Sequence, residues 1–286
     1  MSCTFVTQSE LERFISNCLM KVGVNVEHAN ISADVLAYKN AIDTEKRGLR
    51  DLTRIIEEIK KGIINPKAVP RILKELDSTK NGLCIVSATN SNSFECASYY
   101  EQLASNDDLI GFVCTNASNN VIVPRGTKSG FLLDMACSTT EDKLKSKKDE
   151  FNTYWALDVN GQPATKFEMF AFLQNLGKRE GSEHKGFGLT LMVDVLSGLI
   201  GHCFIVINPG CFAPGFGAHM TEIMRYLRQM EPLVPGIPAI VPGDREKFHI
   251  NEINDQGGIK LTEELVKMSN FLSTTLGVEN LTSFEN

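Results

Sequence analysis

No stretch of this chain approaches about 18 uninterrupted apolar residues, so no transmembrane helix is expected. The opening segment Met1–Arg13 lacks a basic patch followed by an apolar run, which argues against a secretory signal and for a cytosolic protein. No Gly-x-Gly-x-x-Gly opens a helix after a strand, so an ordinary Rossmann nucleotide site has no support. A Gly-x-Ser-x-Gly elbow, a Walker loop and a His-Glu-x-x-His pair are missing too. The five histidines, His28, His184, His202, His219 and His249, nowhere stand at metal-ligand spacing. An excess of positive charge is also absent. With 29 basic and 35 acidic residues the net charge is −6, which repels phosphate backbones and excludes nucleic acid as a partner.

What is present describes an ordinary globular chain. The 286 residues are 42% hydrophobic and 22% charged, enough for one large domain or two smaller ones. Eight cysteines occur without a Cys-x-x-Cys pair, mostly inside apolar runs, and read as free buried thiols. Thr7 and Glu10 make a capping-box pattern before Leu11, Phe14, Ile15, Cys18 and Leu19, which share one helical face. The spacing predicts further helices over 28–42 and 49–64, the latter with Ile59 and Ile63 inward and Asn65-Pro66 as its stop. Apolar runs at 83–87, 110–115, 131–135 and 203–208 predict strands, with helices over 94–104 and 187–200 between them. Toward the end, Met220, Ile223, Met224, Leu227 and Met230 form one apolar stripe, and Leu261, Leu265, Val266, Met268, Leu272 and Leu276 another. Both are expected in the core, joined by an extended Pro- and Gly-rich segment over 232–245. The charged run 141–150 reads as a solvated face.

Three places could carry chemistry. His184 and Lys185 precede a long apolar helix with Gly186 and Gly188 in its first turn. Unpaired amides, a lysine and close backbone approach suit a phosphate, although a tightly packed helix start with a solvated lysine fits equally well. Asp134 leaves the end of a predicted strand, where it can meet ribose hydroxyls or simply cap the next helix. Gly243, Asp244 and Arg245 form a turn whose arginine can pair with phosphate or with its acidic neighbours.

Five strings, in order, carry a resemblance: RIIEEIKKGIINPKAVPRI (54–72), DMACS (134–138), YWALDVNGQPAT (154–165), HKGFGLTLMVDVLSGLIG (184–201) and VPGDRE (241–246). Together they resemble the malate/L-lactate dehydrogenase family. The resemblance implies a mixed-sheet, non-Rossmann α/β core with a helical subdomain. It divides the chain into an N-terminal helical segment (1–76), a cofactor-binding core (77–219) and a C-terminal helical segment (220–286) packing with the first. It implies hydride transfer between NAD or NADP and a small 2-hydroxy or 2-oxo acid, in a homodimer. It assigns cofactor contacts to Asp134, Met135, Ala136, Lys185, Gly243, Asp244 and Arg245, and no metal.

The family's catalytic positions differ in this chain. Where the family has Ser-His-Gly-x-x-Arg-Leu, this chain has Lys46-Arg47-Gly48-Leu49-Arg50-Asp51-Leu52. Arg47 replaces a proton-shuttling histidine and Asp51 an arginine that holds the substrate carboxylate. Where the family has Asn-Ser-x-His-Phe-Gly, this chain reads Asn90-Ser91-Asn92-Ser93-Phe94-Glu95, with Ser93 at the second histidine. Arginine stays protonated near neutrality and cannot act as a base, and Asp51 repels a carboxylate. His184 is the fallback proton donor and Arg50 the fallback clamp. A family helix after Asn81-Gly82 and loops after Gly126 and Gly201 are missing; losing the helix exposes the apolar faces it covered, so the remaining fold has repacked, a partner fills the gap, or the sequence is an incomplete form such as a splice product. An oxidoreductase with displaced acid–base chemistry is the first reading; the alternative is a pseudoenzyme that binds nucleotide or dimerises with an active paralogue.

Overall fold

The computed structural model describes residues 4–42, 48–72, 82–117, 120–122, 125–127, 131–133, 156–160, 162–173, 183–198, 201–212, 214–232, 236 and 238–285. It divides into two units, Met1–Asp77 with Tyr226–Asn286, and Ser78–Arg225.

The first unit is mainly helical. α1 (Gln8–Lys21) starts where the Thr7 side chain accepts from the Glu10 amide, as its sequence predicts. The Glu10 carboxylate does not complete the reciprocal box; it binds Arg13 at 2.7 Å and accepts from the Thr282 amide. Leu11, Phe14, Ile15, Cys18 and Leu19 are buried as their spacing requires. α2 (Val26–Ile42) and α3 (Gly48–Lys60) pack beside it. α3 ends earlier than predicted: Gly62, at φ 73, turns the chain before Asn65-Pro66, and Ile63 is 61% exposed. The end of the chain returns as two more helices, Asp244–Gln256 and Glu263–Leu276. The first lies where an extended segment was expected to end. None of its residues is buried, so no apolar stripe announces it. Leu265 and Leu272 of the second join the common core. A small antiparallel sheet closes the unit, with β1 (Thr4–Val6) between β10 (Ile259–Leu261) and β11 (Phe284–Glu285). Phe5 stacks on Phe284 with ring centroids 5.9 Å apart.

The second unit is built on an antiparallel sheet. β2 (Leu83–Ala88) and β3 (Ile110–Ala117) both pair with β9 (His202–Ile207), and β4 (Asn120–Ile122) pairs with β3. β5 (Arg125–Thr127) and β6 (Phe131–Leu133) extend the sheet beyond β3, and β7 (Ala156–Leu157) pairs separately with β8 (Phe172–Leu173). All its described pairings are antiparallel, unlike the parallel strands of a Rossmann sheet. α4 (Ala97–Asn106) packs on β3. The helix beginning at Lys185's motif, Glu183–Val193, loosens into a π-turn over Asp194–Gly198, and the Ser197 hydroxyl bonds back to the Val193 carbonyl at 2.7 Å. Val193 packs with Cys114 and Cys203, which stand opposite each other on β3 and β9. Burial pushes the Cys114 thiol up to about 12, so this thiol is inert.

Two expectations are corrected here. The methionine stripe of the helix Phe216–Arg228 and the turn after it is not core: Met224 is buried, but Ile223 in the helix and Met230 beyond its end are half exposed. Cys211 is an exposed thiol and Cys84 a partly exposed one. Where the resemblance implies a missing helix, β2 leaves Leu83 and Ile85 exposed on one face and Val86 on the other. The run 141–150 lies outside the described residues. No helix among those described is long and apolar enough to cross a membrane.

Candidate functional site

In the first unit the sequence-predicted residues gather at the α2–α3 junction. Arg47 lies outside the described residues. Gly48, which follows it, starts α3 hard against α2: a Cβ there would sit 2.0 Å from the Leu36 carbonyl oxygen. Only glycine allows the two helices this approach. The side-chain oxygen of buried Asn40 accepts from the Leu49 amide at 3.4 Å and helps hold the helix start. Asp51 is not the bare negative charge its position suggests. Lys39 on α2 meets its carboxylate at 2.5 Å and Arg54 stands 3.8 Å away. Lys39 was invisible to sequence reasoning, because its partner lies on another helix and no periodicity links them. Arg50, the fallback clamp, is paired with Glu264 at 2.7 Å on the exposed surface.

The turn at Gly243 also belongs to this unit. Gly243 has φ 96 and caps the helix Asp244–Gln256. The Asp244 carboxylate accepts from the Val241 amide at 3.0 Å and pairs with Arg228 at 2.6 Å. The Arg228 hydrogen bond holds the Asp244 carboxyl below its ordinary range, against burial, which pushes it up. Asp244 therefore already has a structural task, whereas Arg245 is exposed.

In the second unit Asp134, Met135 and Ala136 lie outside the described residues. His184 is the second residue of the helix Glu183–Val193, and Lys185 beside it is exposed. A Cβ at Gly188, one turn on, would meet nothing within 4 Å. A cation, a helix N-terminus and open space beside them fit a phosphate-bearing nucleotide. Among the described residues no group of three His, Cys, Asp or Glu could hold a metal ion.

Ser93 occupies a tight exposed loop between β2 and α4, where its hydroxyl accepts from the Glu95 amide at 3.1 Å. Asn90 (φ 55) and Glu95 (φ 70) bracket this loop in the left-handed region. Glu95 stands where the family pattern has glycine. A histidine does reach the loop, from elsewhere. His202 Nε2 donates to the Asn92 carbonyl at 2.8 Å, while its Nδ1 lies 2.6 Å from the Thr115 hydroxyl. A carbonyl only accepts, so Nε2 carries a proton and Nδ1 of the neutral ring accepts from Thr115. Phe94 stands edge-on to the ring at 4.9 Å and packs in turn on Tyr100 and Phe204. The turn into His202 needs Gly201, at φ 86, where a Cβ would lie 2.0 Å from the Ala88 carbonyl. Sequence reasoning passed over His202, since it sits in a strand 110 residues from its loop partner.

Residues 6–80 match the family model described as malate/L-lactate dehydrogenase. The chain is 26% identical to the malate dehydrogenase of Pyrococcus abyssi, covering 96% of each protein, and 26% identical to the L-sulfolactate dehydrogenase of Methanocaldococcus jannaschii, covering 93% of this chain and 96% of that one. Its fold matches malate dehydrogenase from Pyrococcus horikoshii with a TM-score of 0.82 at 25% identity, covering 98% of this chain and 97% of that one. Malate dehydrogenase from Entamoeba histolytica superposes with a TM-score of 0.85 at 23% identity, over 97% and 99% of the two chains. The chain is thus similar to malate and sulfolactate dehydrogenases over nearly its whole length, and to the malate/L-lactate dehydrogenase family model over residues 6–80. Measured against that family, the chain is short. Its alignment with the Pyrococcus abyssi protein runs over 350 positions, more than the 286 residues present, so the relative carries segments that this chain lacks. The family model also stops matching at residue 80, just before Asn81-Gly82, where the missing helix would begin.

Proposed function

We propose that this protein is an NAD(P)-dependent oxidoreductase of the malate/L-lactate dehydrogenase type, interconverting a small 2-hydroxy acid and its 2-oxo acid as a cytosolic homodimer. The collinear likeness to malate and sulfolactate dehydrogenases over nearly the whole chain supports the reaction class. The observation that carries the reading in this structure is the first turn of the helix Glu183–Val193, where exposed Lys185 flanks the open space at Gly188. Lys185 holds a cofactor phosphate there through charge and the free helix amides. Asp134, Met135, Ala136, Gly243, Asp244 and Arg245 are the further cofactor contacts by family position, and His184 is the fallback donor within the same motif. When bound, the nicotinamide supplies the hydride equivalent; the chain's own residues bind it, exclude water and provide the proton.

Fluorescence titration of the purified protein with NADH and NADPH tests this. Saturable binding that weakens about tenfold or more in Lys185→Ala is expected, in line with losing one charge-assisted phosphate contact. Absence of binding by a cooperatively folded protein would remove the cofactor and with it the reaction. Binding without turnover of any 2-oxo acid would leave a nucleotide-binding protein.

A further inference from the structure

We infer that His202 supplies the proton, from beside the loop that carries Ser93, in place of the shuttling histidine lost at Arg47. This rests on the oxidoreductase reading above. The family pattern puts an imidazole in the loop between β2 and α4, and in this chain that position is a serine on an exposed loop. A serine without an activating base neither donates nor accepts a proton usefully near neutrality. His202 brings an imidazole to the same loop from the start of β9, bonded to the carbonyl of Asn92, the residue next to Ser93.

Its surroundings are those of an oriented donor. Thr115 is buried, with 5% of its surface exposed, and its hydroxyl holds Nδ1 from behind. Nε2 points the other way, to an exposed carbonyl. The Thr115 hydroxyl can donate to Nδ1 of the neutral ring or accept from it in the imidazolium, so it holds the ring's orientation in both forms while Nε2 faces outward. Phe94 packs edge-on against the ring and limits its rotation. The loop it faces is bracketed by two non-glycine residues at positive φ, a strained conformation of the kind that clusters at functional sites. Both direct partners of the ring are uncharged. Titratable groups on the neighbouring loop and α4 include Glu95, Cys96, Tyr99, Tyr100 and Glu101, and burial pushes the Tyr100 hydroxyl up to about 12.

The step balances. When bound, the nicotinamide would supply hydride to C2 of the 2-oxo acid, and the electrons of the C=O π bond would move to its oxygen. The imidazolium form of His202 breaks its Nε2–H bond and gives that proton to the oxygen, which takes the place of the Asn92 carbonyl as acceptor. The ring is left neutral, with Nδ1–H donating to Thr115 Oγ, and regains its proton from solvent. The reverse reaction uses as base the neutral ring in its Nδ1–H form, with Thr115 Oγ accepting from Nδ1 and Nε2 free.

The test uses the full chain with NADH, pyruvate and oxaloacetate as probe 2-oxo acids, and oxamate as an unreactive analogue. His202→Gln keeps hydrogen-bonding capacity and is expected to lower kcat by about 10²-fold or more while the Kd for NADH stays within about twofold. His219→Ala, at an exposed position with no part in the proposed site, is expected to stay within about threefold of the parent kcat. Independently of turnover, the imidazole proton resonance that disappears in His202→Gln shifts when oxamate is added to the NADH-saturated parent. If His202→Gln does not fold, Thr115→Val serves instead, with kcat expected to fall by about tenfold and KM unchanged. A parent that reduces a 2-oxo acid, with kcat kept in His202→Gln (or in Thr115→Val) or with the resonance unmoved, overturns this inference and leaves the oxidoreductase reading standing. A parent that does not bind NADH, or binds it without turnover, overturns both.

Discussion

At the scale of single residues, Glu95 is the clearest departure from what its backbone favours. It holds φ 70, where a side chain crowds the following carbonyl and glycine does not. Glu95→Gly is therefore expected to raise stability by about 0.5–1 kcal/mol, after allowing for the greater freedom of glycine in the unfolded chain. Urea unfolding should show a higher midpoint with an unchanged slope. A lower midpoint would mean that the Glu95 side chain contributes more than the strain costs. Gly48 is the opposite case, a glycine retained where the Leu36 carbonyl leaves no room for a Cβ. Its neighbour in the family motif has changed, but the helix crossing that needs a glycine has not.

Elements show where acid acts. Asp244 ties the start of its helix to Arg228, and Glu10 ties α1 to Arg13 and to the amide of Thr282. In both, the arginine hydrogen bond outweighs burial and depresses the carboxyl pKa. A group whose pKa is lowered by folding contributes stability above its unfolded value and loses it as pH falls through the folded one. The loss is thus expected below about pH 4. Asp244→Asn should lower the urea midpoint at pH 6, and the gap from the parent should close as the pH approaches 3. A gap that stays constant over this range would remove the ion pair as the cause.

The same scale shows what could be read from the sequence. α1 was legible because Thr7 and five apolar residues at helical spacing carry local information, and the longer strands because apolar runs end at Gly, Asn or Ser. The helix Asp244–Gln256 was not, because none of its residues is buried. β1, β10 and β11 are too short to form a pattern, and their pairing lies far apart in sequence. Of the candidate site, Lys185 and the Gly243 turn were legible as motifs. The Lys39–Asp51 and His202–Asn92 contacts were not, since each is made only by folding.

At the scale of the whole molecule, the pairing of Thr4 with Glu285 makes the first unit discontinuous. Phe5 and Phe284 stack within that sheet. Alanine at both positions is expected to show a coupling energy of about 0.5–1.5 kcal/mol in a double-mutant cycle, as stacked aromatics do. Strict additivity would argue that the two chain segments do not meet in solution. The pairing also has a consequence for synthesis. Chains emerge from the ribosome N-terminus first, and domains generally fold as they appear. The stretch that completes the first unit is made only after the entire second unit has been translated. α1, α2 and α3 must wait with Val6 and their shared apolar faces uncovered until Ile259, Leu265 and Leu272 arrive. The unit begun first is finished last, and for that interval the nascent chain is a client for chaperones.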